Sequence, residues 1–266
     1  MAPPETLTVE GLWKKYDGTW AVQGLELHVR AGEIVGLIGP NGAGKTTTLK
    51  AIVGLLAPDG GRIAVDGRSL DADPLRYKAA FGYMPESFTL PEYLSGEEFL
   101  EYVGRLHGVA LPTLRERMRE ELIRFELWDR RRDLILAYSK GMRQKVAFLA
   151  ATLHEPRLLL LDEPLIGIDP VGQVRLREVL HRAAKGGSGV LVSTHMLDTA
   201  ERLCDRIAIV HRGRTVASGT LSELRGIAQA RADSTLEEIF LQLTAESQAP
   251  PPPEEPPRRR FGLWRR

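Results

Sequence analysis

Residues 39–46 read Gly39-Pro40-Asn41-Gly42-Ala43-Gly44-Lys45-Thr46 and fit the pattern G-x-x-x-x-G-K-[ST]. The run follows a short apolar stretch, 34–38, and opens a helical pattern over 44–56. Nothing else in the chain constrains its fold as much, because the pattern has meaning only as strand, curled loop and helix in that order. The glycines let successive backbone N–H groups point inward, and the helix N-terminus adds the positive end of its dipole, so the loop can receive phosphate oxygens. Lys45 can neutralise β- and γ-phosphates and the Thr46 hydroxyl can ligate Mg²⁺. Thr47 belongs to the same nucleotide-facing set.

A second motif completes the first. The apolar run 158–161 stops at Asp162-Glu163-Pro164. A buried strand ending in Asp162 can present a carboxylate to Mg²⁺, and Glu163 then stands where it can orient and deprotonate water beside the γ-phosphate. Together the two motifs indicate a P-loop NTPase.

The rest of the chain agrees. Apolar runs at 34–38, 158–161, 190–192 and 207–210 lack alternation, as strands buried on both faces of a mainly parallel sheet do. Helical patterns at 44–56 and 170–184 lie between them, which makes the class α/β. Near the start, 7–9, 25–29 and 62–65 read as half-exposed strands punctuated by glycine turns, an N-terminal antiparallel β subdomain. From 86 to 155 the chain turns helical: Ser95 and Glu98 form a capping-box pattern, and Leu114, Met118, Leu122 and Phe125 fall at helical spacing. The expected organisation is an ATPase domain over 1–246, with a core of 1–85 and 156–246 and an inserted helical subdomain at 86–155. Ser234 and Glu237 are positioned to cap a last amphipathic helix through Leu243, and the Pro/Arg-rich tail 247–266 is expected to be disordered.

Composition narrows the setting. With 266 residues, 43% of them hydrophobic, the chain can bury a sizeable core. A formal net charge of +1 gives no concentrated positive field, so no nucleic-acid partner is expected. The single cysteine, Cys204, suits a reducing compartment and reads as core packing. The N-terminus lacks a signal-peptide layout, and no apolar run approaches the roughly 18–20 residues that span a bilayer.

One segment says which kind of NTPase this is. Tyr138-Ser139-Lys140-Gly141-Met142-Arg143-Gln144-Lys145-Val146 precedes the acidic motif, Ile168-Asp169-Pro170 follows it, and Ser193-Thr194-His195 follows the next strand. In this order the segments resemble the ABC ATPase family, over roughly residues 7–244, and the form of the signature resembles that of bacterial exporter ATPases. The resemblance implies ATP and Mg²⁺ as cofactors and ATP hydrolysis as the reaction. It implies two partners, a polytopic membrane permease and a second ATPase subunit in a homo- or heterodimer, and a location at the cytoplasmic face of the membrane. It implies that Ser139 and Gly141 contact the γ-phosphate held by the second subunit, that His195 bonds the γ-phosphate and the attacking water, and that Asp169 lies in a loop communicating between paired sites. Tyr16 matches the aromatic that stacks on adenine, with Trp13 and Trp20 as neighbouring alternatives.

Two positions depart from the family pattern. Glu86 stands after the strand at 81–84 where glutamine is common, and brings a negative charge toward the metal and γ-phosphate; Lys140 and Met142 replace glycine and glutamine in the signature. ABC-type proteins acting on DNA or the ribosome carry long coiled-coil insertions or paired ATPase domains, and small-molecule P-loop kinases lack the signature segment. Neither pattern fits here.

Overall fold

The computed structural model describes residues 3–246; the tail expected at 247–266 lies outside the described residues. The chain opens with a long hairpin, β1 (Glu5–Tyr16) and β2 (Thr19–Arg30). These strands outrun the short ones expected, because Gly11 and Gly24 sit at register shifts within the ladder rather than in turns. Bulges there let both strands continue with added twist. β3 (Ile34–Ile38) leads through the glycine-rich loop into α1 (Lys45–Ile52), and β4 (Gly60–Val65) returns to pair with β1. α2 (Pro74–Ala79), capped by Asp73, and β5 (Phe81–Met84) follow.

The middle of the chain is helical: α3 (Gly96–Leu106), α4 (Leu111–Arg124) and α5 (Lys140–Thr152), with 3₁₀ turns at Trp128–Arg130 and Ile135–Ala137. Both halves of the Ser95–Glu98 capping box are formed, and Leu114, Met118, Leu122 and Phe125 are all buried. The chain then runs through β6 (Leu158–Asp162), α6 (Pro170–Lys185), β7 (Gly189–Thr194), α7 (Leu197–Leu203), β8 (Arg206–His211), β9 (Arg214–Gly219), α8 (Leu221–Ile227) and α9 (Leu236–Glu246). The cap of α9 sits one residue beyond the expected one: Thr235 and Glu238 exchange the reciprocal bonds assigned to Ser234 and Glu237.

Two sheets result. One is antiparallel, in the order β2-β1-β4; the other has six strands in the order β5-β6-β7-β3-β8-β9, parallel except for β9. This is the mixed α/β class read from the sequence. Leu159, Leu161, Val190 and Val192 face the core under the helices, while Leu158, Leu160 and Leu191 face the core under the antiparallel sheet. Alternate residues thus enter different cores, which is why these strands have no polar positions. A third cluster beneath α7–α9 closes the β8–β9 end around Ile38, Ile207 and Ile209.

The strand order matters for function. β6, β7 and β3 are neighbours, so the loops leaving their C-terminal ends lie side by side at one edge of the sheet. Open α/β sheets bind ligands in this kind of crevice.

Candidate nucleotide site

The loop between β3 and α1 is shaped by close approaches. Gly44 has φ +106, and a Cβ there would lie 2.6 Å from the Ala21 carbonyl. A Cβ on Gly39 would run into the Val210 carbonyl. Only glycine satisfies either position. The Gly213 N–H donates to the Ala43 carbonyl at 2.9 Å, so the β8–β9 turn braces the loop from behind. Lys45 Nζ donates to the Gly39 carbonyl at 2.7 Å and to that of Pro40 at 3.3 Å, folding its buried side chain back across the loop.

A cleft of about 410 Å³ opens in front, lined by Tyr16, Ala21, Asn41, Gly42, Gly44, Lys45, Thr46, Thr47, Glu86, Asp162 and Glu163. Of the three aromatics considered for adenine, Tyr16 is the one on this cleft, with 45% of its surface exposed. Trp13 and Trp20 instead pack edge to face on each other, 5.1 Å apart.

The acidic edge is organised by strand register. Asp162 pairs with Ser193 across β6 and β7, so the two strand ends meet residue for residue. The Ser193 hydroxyl donates to Asp162 Oδ1. The Thr194 hydroxyl donates to Glu163 Oε2 at 3.0 Å, and the His195 N–H donates to Glu163 Oε1 at 3.0 Å. His195 Nδ1 is 2.7 Å from the same Oε1. Since a carboxylate only accepts, Nδ1 carries the proton in this contact. Glu163 itself is 5% exposed and has φ +51, a left-handed conformation rare for a side chain of this kind. Its N–H donates to the Ser193 carbonyl at 3.0 Å, which holds the turn. Strained backbone of this sort concentrates at functional sites, where neighbours over-determine it.

The sequence reading named His195 but left Ser193 and Thr194 without a role; their hydroxyls are what clamp the acidic pair. Tyr83 on β5 was also missed. Its hydroxyl is buried without a partner among the described residues, and burial, aided by the Asp162 charge, pushes it up to about 12.

Electrostatics frame the cleft. Burial pulls the Lys45 ammonium below its ordinary value, while Glu163, Asp162 and Glu86 oppose the shift. One cation facing three carboxylates would repel a polyphosphate, so an anionic nucleotide needs a divalent cation here. The residues fit Mg²⁺: Asp162 Oδ2 is buried with no hydrogen-bond partner among the described residues, beside the cleft that Thr46 and Glu86 also line. Among the described residues no group of three or more His, Cys, Asp or Glu could hold a metal alone. A cation bound through one or two carboxylates, a hydroxyl and phosphates does not need such a group.

Ser139, Gly141 and Asp169 are not on this cleft. Ser139 caps α5, accepting from the Met142 N–H at 3.2 Å, and is exposed. Such a cap contributes on the order of 1 kcal/mol. A Cβ on Gly141 would meet the Gly167 carbonyl at 3.2 Å, so the first turn of α5 rests on the loop that follows Glu163.

A glycine-braced phosphate loop facing a clamped acidic pair makes this molecule a P-loop NTPase. Comparison with known proteins narrows the class. The family model described as ABC transporter matches residues 22–166, more than half of the 266-residue chain. The ABC-type transporter ATP-binding protein EcsA of Bacillus subtilis is 40% identical over 90% of this chain and 97% of its own length. The daunorubicin/doxorubicin resistance ATP-binding protein DrrA of Streptomyces peucetius is 39% identical over 84% of this chain and 68% of its own. A solved structure of an ATP-binding subunit of an ABC transporter superposes with a TM-score of 0.86 at 38% identity, covering 90% of this chain and 99% of that one. The chain therefore belongs to the ABC transporter family, as an ATP-binding subunit with the ATPase activity of that class. Among the described residues no helix is long and apolar enough to cross a membrane.

Proposed function

We propose that this subunit powers export through a membrane-spanning permease, working at the cytoplasmic face of the membrane as one half of an ATP-driven dimer. Residues 1–85 and 156–246 act as its ATPase core and 86–155 as its helical subdomain. The observation that carries the reading is the separation of Ser139 and Gly141 from the cleft of their own chain. A capped helix start with free N–H groups and no ligand of its own suits a phosphate held by a second copy or a related subunit. The form of the signature segment, with Lys140 and Met142, supports export, and the drug-resistance relative agrees with it.

In this reading Tyr16 stacks on adenine, and the loop from Gly39 to Thr47 holds the phosphates, with Lys45 turning from its carbonyl partners toward them. Thr46, Asp162 and Glu86 would hold Mg²⁺, which would supply charge neutralisation for the phosphates. Glu163 is the general base: clamped on one side by Thr194 and on the other by His195, its carboxylate has a fixed direction in which to accept a proton from water. His195, anchored through Nδ1, keeps Nε2 for the γ-phosphate and the attacking water. Asp169 belongs to the loop between the paired sites.

The test is assembly. Full-length Glu163→Gln should dimerise on adding MgATP and separate without it. Adding Ser139→Arg should abolish the dimer while nucleotide binding to the monomer persists. Light scattering that finds an ATP-independent dimer in both variants, or monomer throughout at saturating MgATP, would contradict the composite site.

A further inference from the structure

Asp169 is already committed within its own subunit. Its Oδ1 accepts from the Gly172 N–H at 2.8 Å, capping α6, and its Oδ2 is 2.8 Å from Lys145 Nζ. Lys145 lies in the second turn of α5, the helix whose first turn carries Ser139 and Gly141. It is 8% exposed, and its stem runs where a Cβ on Gly172 would meet Cε at 3.0 Å. Packing thus delivers the ammonium to one place, and Asp169 is its one ion-pair partner among the described residues.

The loop between Glu163 and Asp169 is itself stiff. Ile166 N–H donates to the Glu163 carbonyl at 3.3 Å, and Gln173 Nε2 donates to the Leu165 and Ile168 carbonyls at 3.3 and 3.2 Å. One end of this braced turn carries the general base, and the other is tied to the signature helix. The tie contributes little to stability, because the Asp169 side chain is 52% exposed and such pairs are weak. Its value is geometric. The Lys145 hydrogen bond, followed by the Gly172 N–H, holds the Asp169 carboxyl well below its ordinary range, at about 2, so the tie persists through any working pH.

We propose that Lys145 is a positioning residue that locks the signature helix to the loop bearing Glu163, so that engagement of the second subunit's ATP by Ser139 and Gly141 aligns the general base of Lys145's own site. The proposal rests on the dimer reading above.

The experiment measures steady-state MgATP hydrolysis by the full chain and by Lys145→Met, Lys145→Arg, Asp169→Asn and the Lys145→Met/Asp169→Asn double variant. Asparagine still caps α6, so Asp169→Asn removes the ion pair and spares the helix. Lys145→Met and Asp169→Asn should each lower kcat about tenfold with KM changed less than about twofold, since neither group binds nucleotide. The Hill coefficient should fall toward about 1, the double variant should lose no more than either single, and Lys145→Arg should recover most of the rate. Lys145→Met with kcat within about twofold of the parent, no rescue by arginine, or multiplied losses in the double variant would overturn the proposal. MgATP-dependent dimerisation in the Glu163→Gln background separates two failures. If Glu163→Gln alone stays monomeric, the dimer reading has failed; if it dimerises and Lys145→Met leaves turnover and cooperativity intact, only the role of Lys145 has.

Discussion

The edge of the sheet at Asp162 and Glu163 and the start of α5 at Ser139 belong to one family of sites and are built in opposite ways. Asp162 is fully buried and Glu163 nearly so, and three consecutive residues of β7 and its following turn clamp the pair. Ser139 is exposed, and its structural bond is the cap of its own helix. The first half is oriented before any ligand arrives, as groups must be to act on a transition state without reorganising. The second half spends the Met142 N–H on its own cap and leaves the Lys140 and Gly141 N–H groups without a hydrogen-bond acceptor among the described residues. On the dimer reading proposed above, the first region does the chemistry and the second waits for a partner's nucleotide.

The sharpest way to break that contrast is to blunt the organised half. Glu163→Gln keeps the shape and the accepting oxygen while removing the proposed base, so ATP binding should persist and turnover should fall on the order of 10²–10⁴. The measurement is hydrolysis by purified protein reconstituted with its membrane partner. Near-normal turnover would mean that the clamp around Glu163 serves the fold and not the reaction.

Much of the organised half can be read from the chain because its parts are contiguous: 39–46 and 162–163 are uninterrupted runs, and strands such as 34–38 announce double-sided burial by lacking polar positions. What escapes the reading depends on register or distance. The clamping roles of Ser193 and Thr194 follow from the β6–β7 pairing, which no linear pattern encodes. The left-handed turn at Glu163 has no glycine to mark it. β9 is half exposed and carries no clear alternation. At α9, Ser234 with Glu237 and Thr235 with Glu238 are equivalent capping pairs on paper, and packing of Leu236 and Ile239 selects the second. The Lys145–Asp169 tie joins two motifs that were each read separately.

Away from both regions, the far end of α5 packs against the start of β5 at a seam that pH can probe. His107, at the end of α3, stacks on His154 with ring centroids 3.7 Å apart, and His154 Nε2 faces the Phe81 carbonyl of β5 at 3.4 Å. Burial lowers His154 to about 4, with help from the His107 ring and Arg117 and against the Phe81 carbonyl; burial lowers His107 as well. A histidine depressed in the folded state binds its proton first in the unfolded chain. The stability it contributes is therefore full above its ordinary value near 6.5 and is lost as pH falls toward about 4. After allowance for partial solvent screening, this should amount to about 1–2 kcal/mol by pH 5. Urea melts at pH 7.5 and 5 should show that loss in the parent and a smaller one in His154→Gln. Equal losses in both would mean that the seam does not register pH.

The smallest expected effect concerns the residue that leads from one region to the other. Glu86 follows β5, lines the cleft, and is close enough for its charge to act on Lys45. With Asp162 and Glu163 it makes the cleft more negative than the single lysine can offset. Removing one of the three charges should ease nucleotide entry when Mg²⁺ is scarce, by about 1 kcal/mol or roughly fivefold in affinity at physiological salt. When Mg²⁺ is abundant the sign should change, because on the proposed assignment the carboxylate would serve as a hard oxygen ligand that a neutral amide matches less well. The native chain should therefore show a steeper dependence of ATP affinity on Mg²⁺ than Glu86→Gln, the two curves crossing as Mg²⁺ rises. Glu86 is exposed and outside the packed core, so the substitution leaves the fold alone and the comparison tests charge only. Equilibrium ATP binding titrated across Mg²⁺ concentrations is the measurement. Superimposable curves would place Glu86 away from the metal and leave it to the organised half only as the point where the chain departs toward α3.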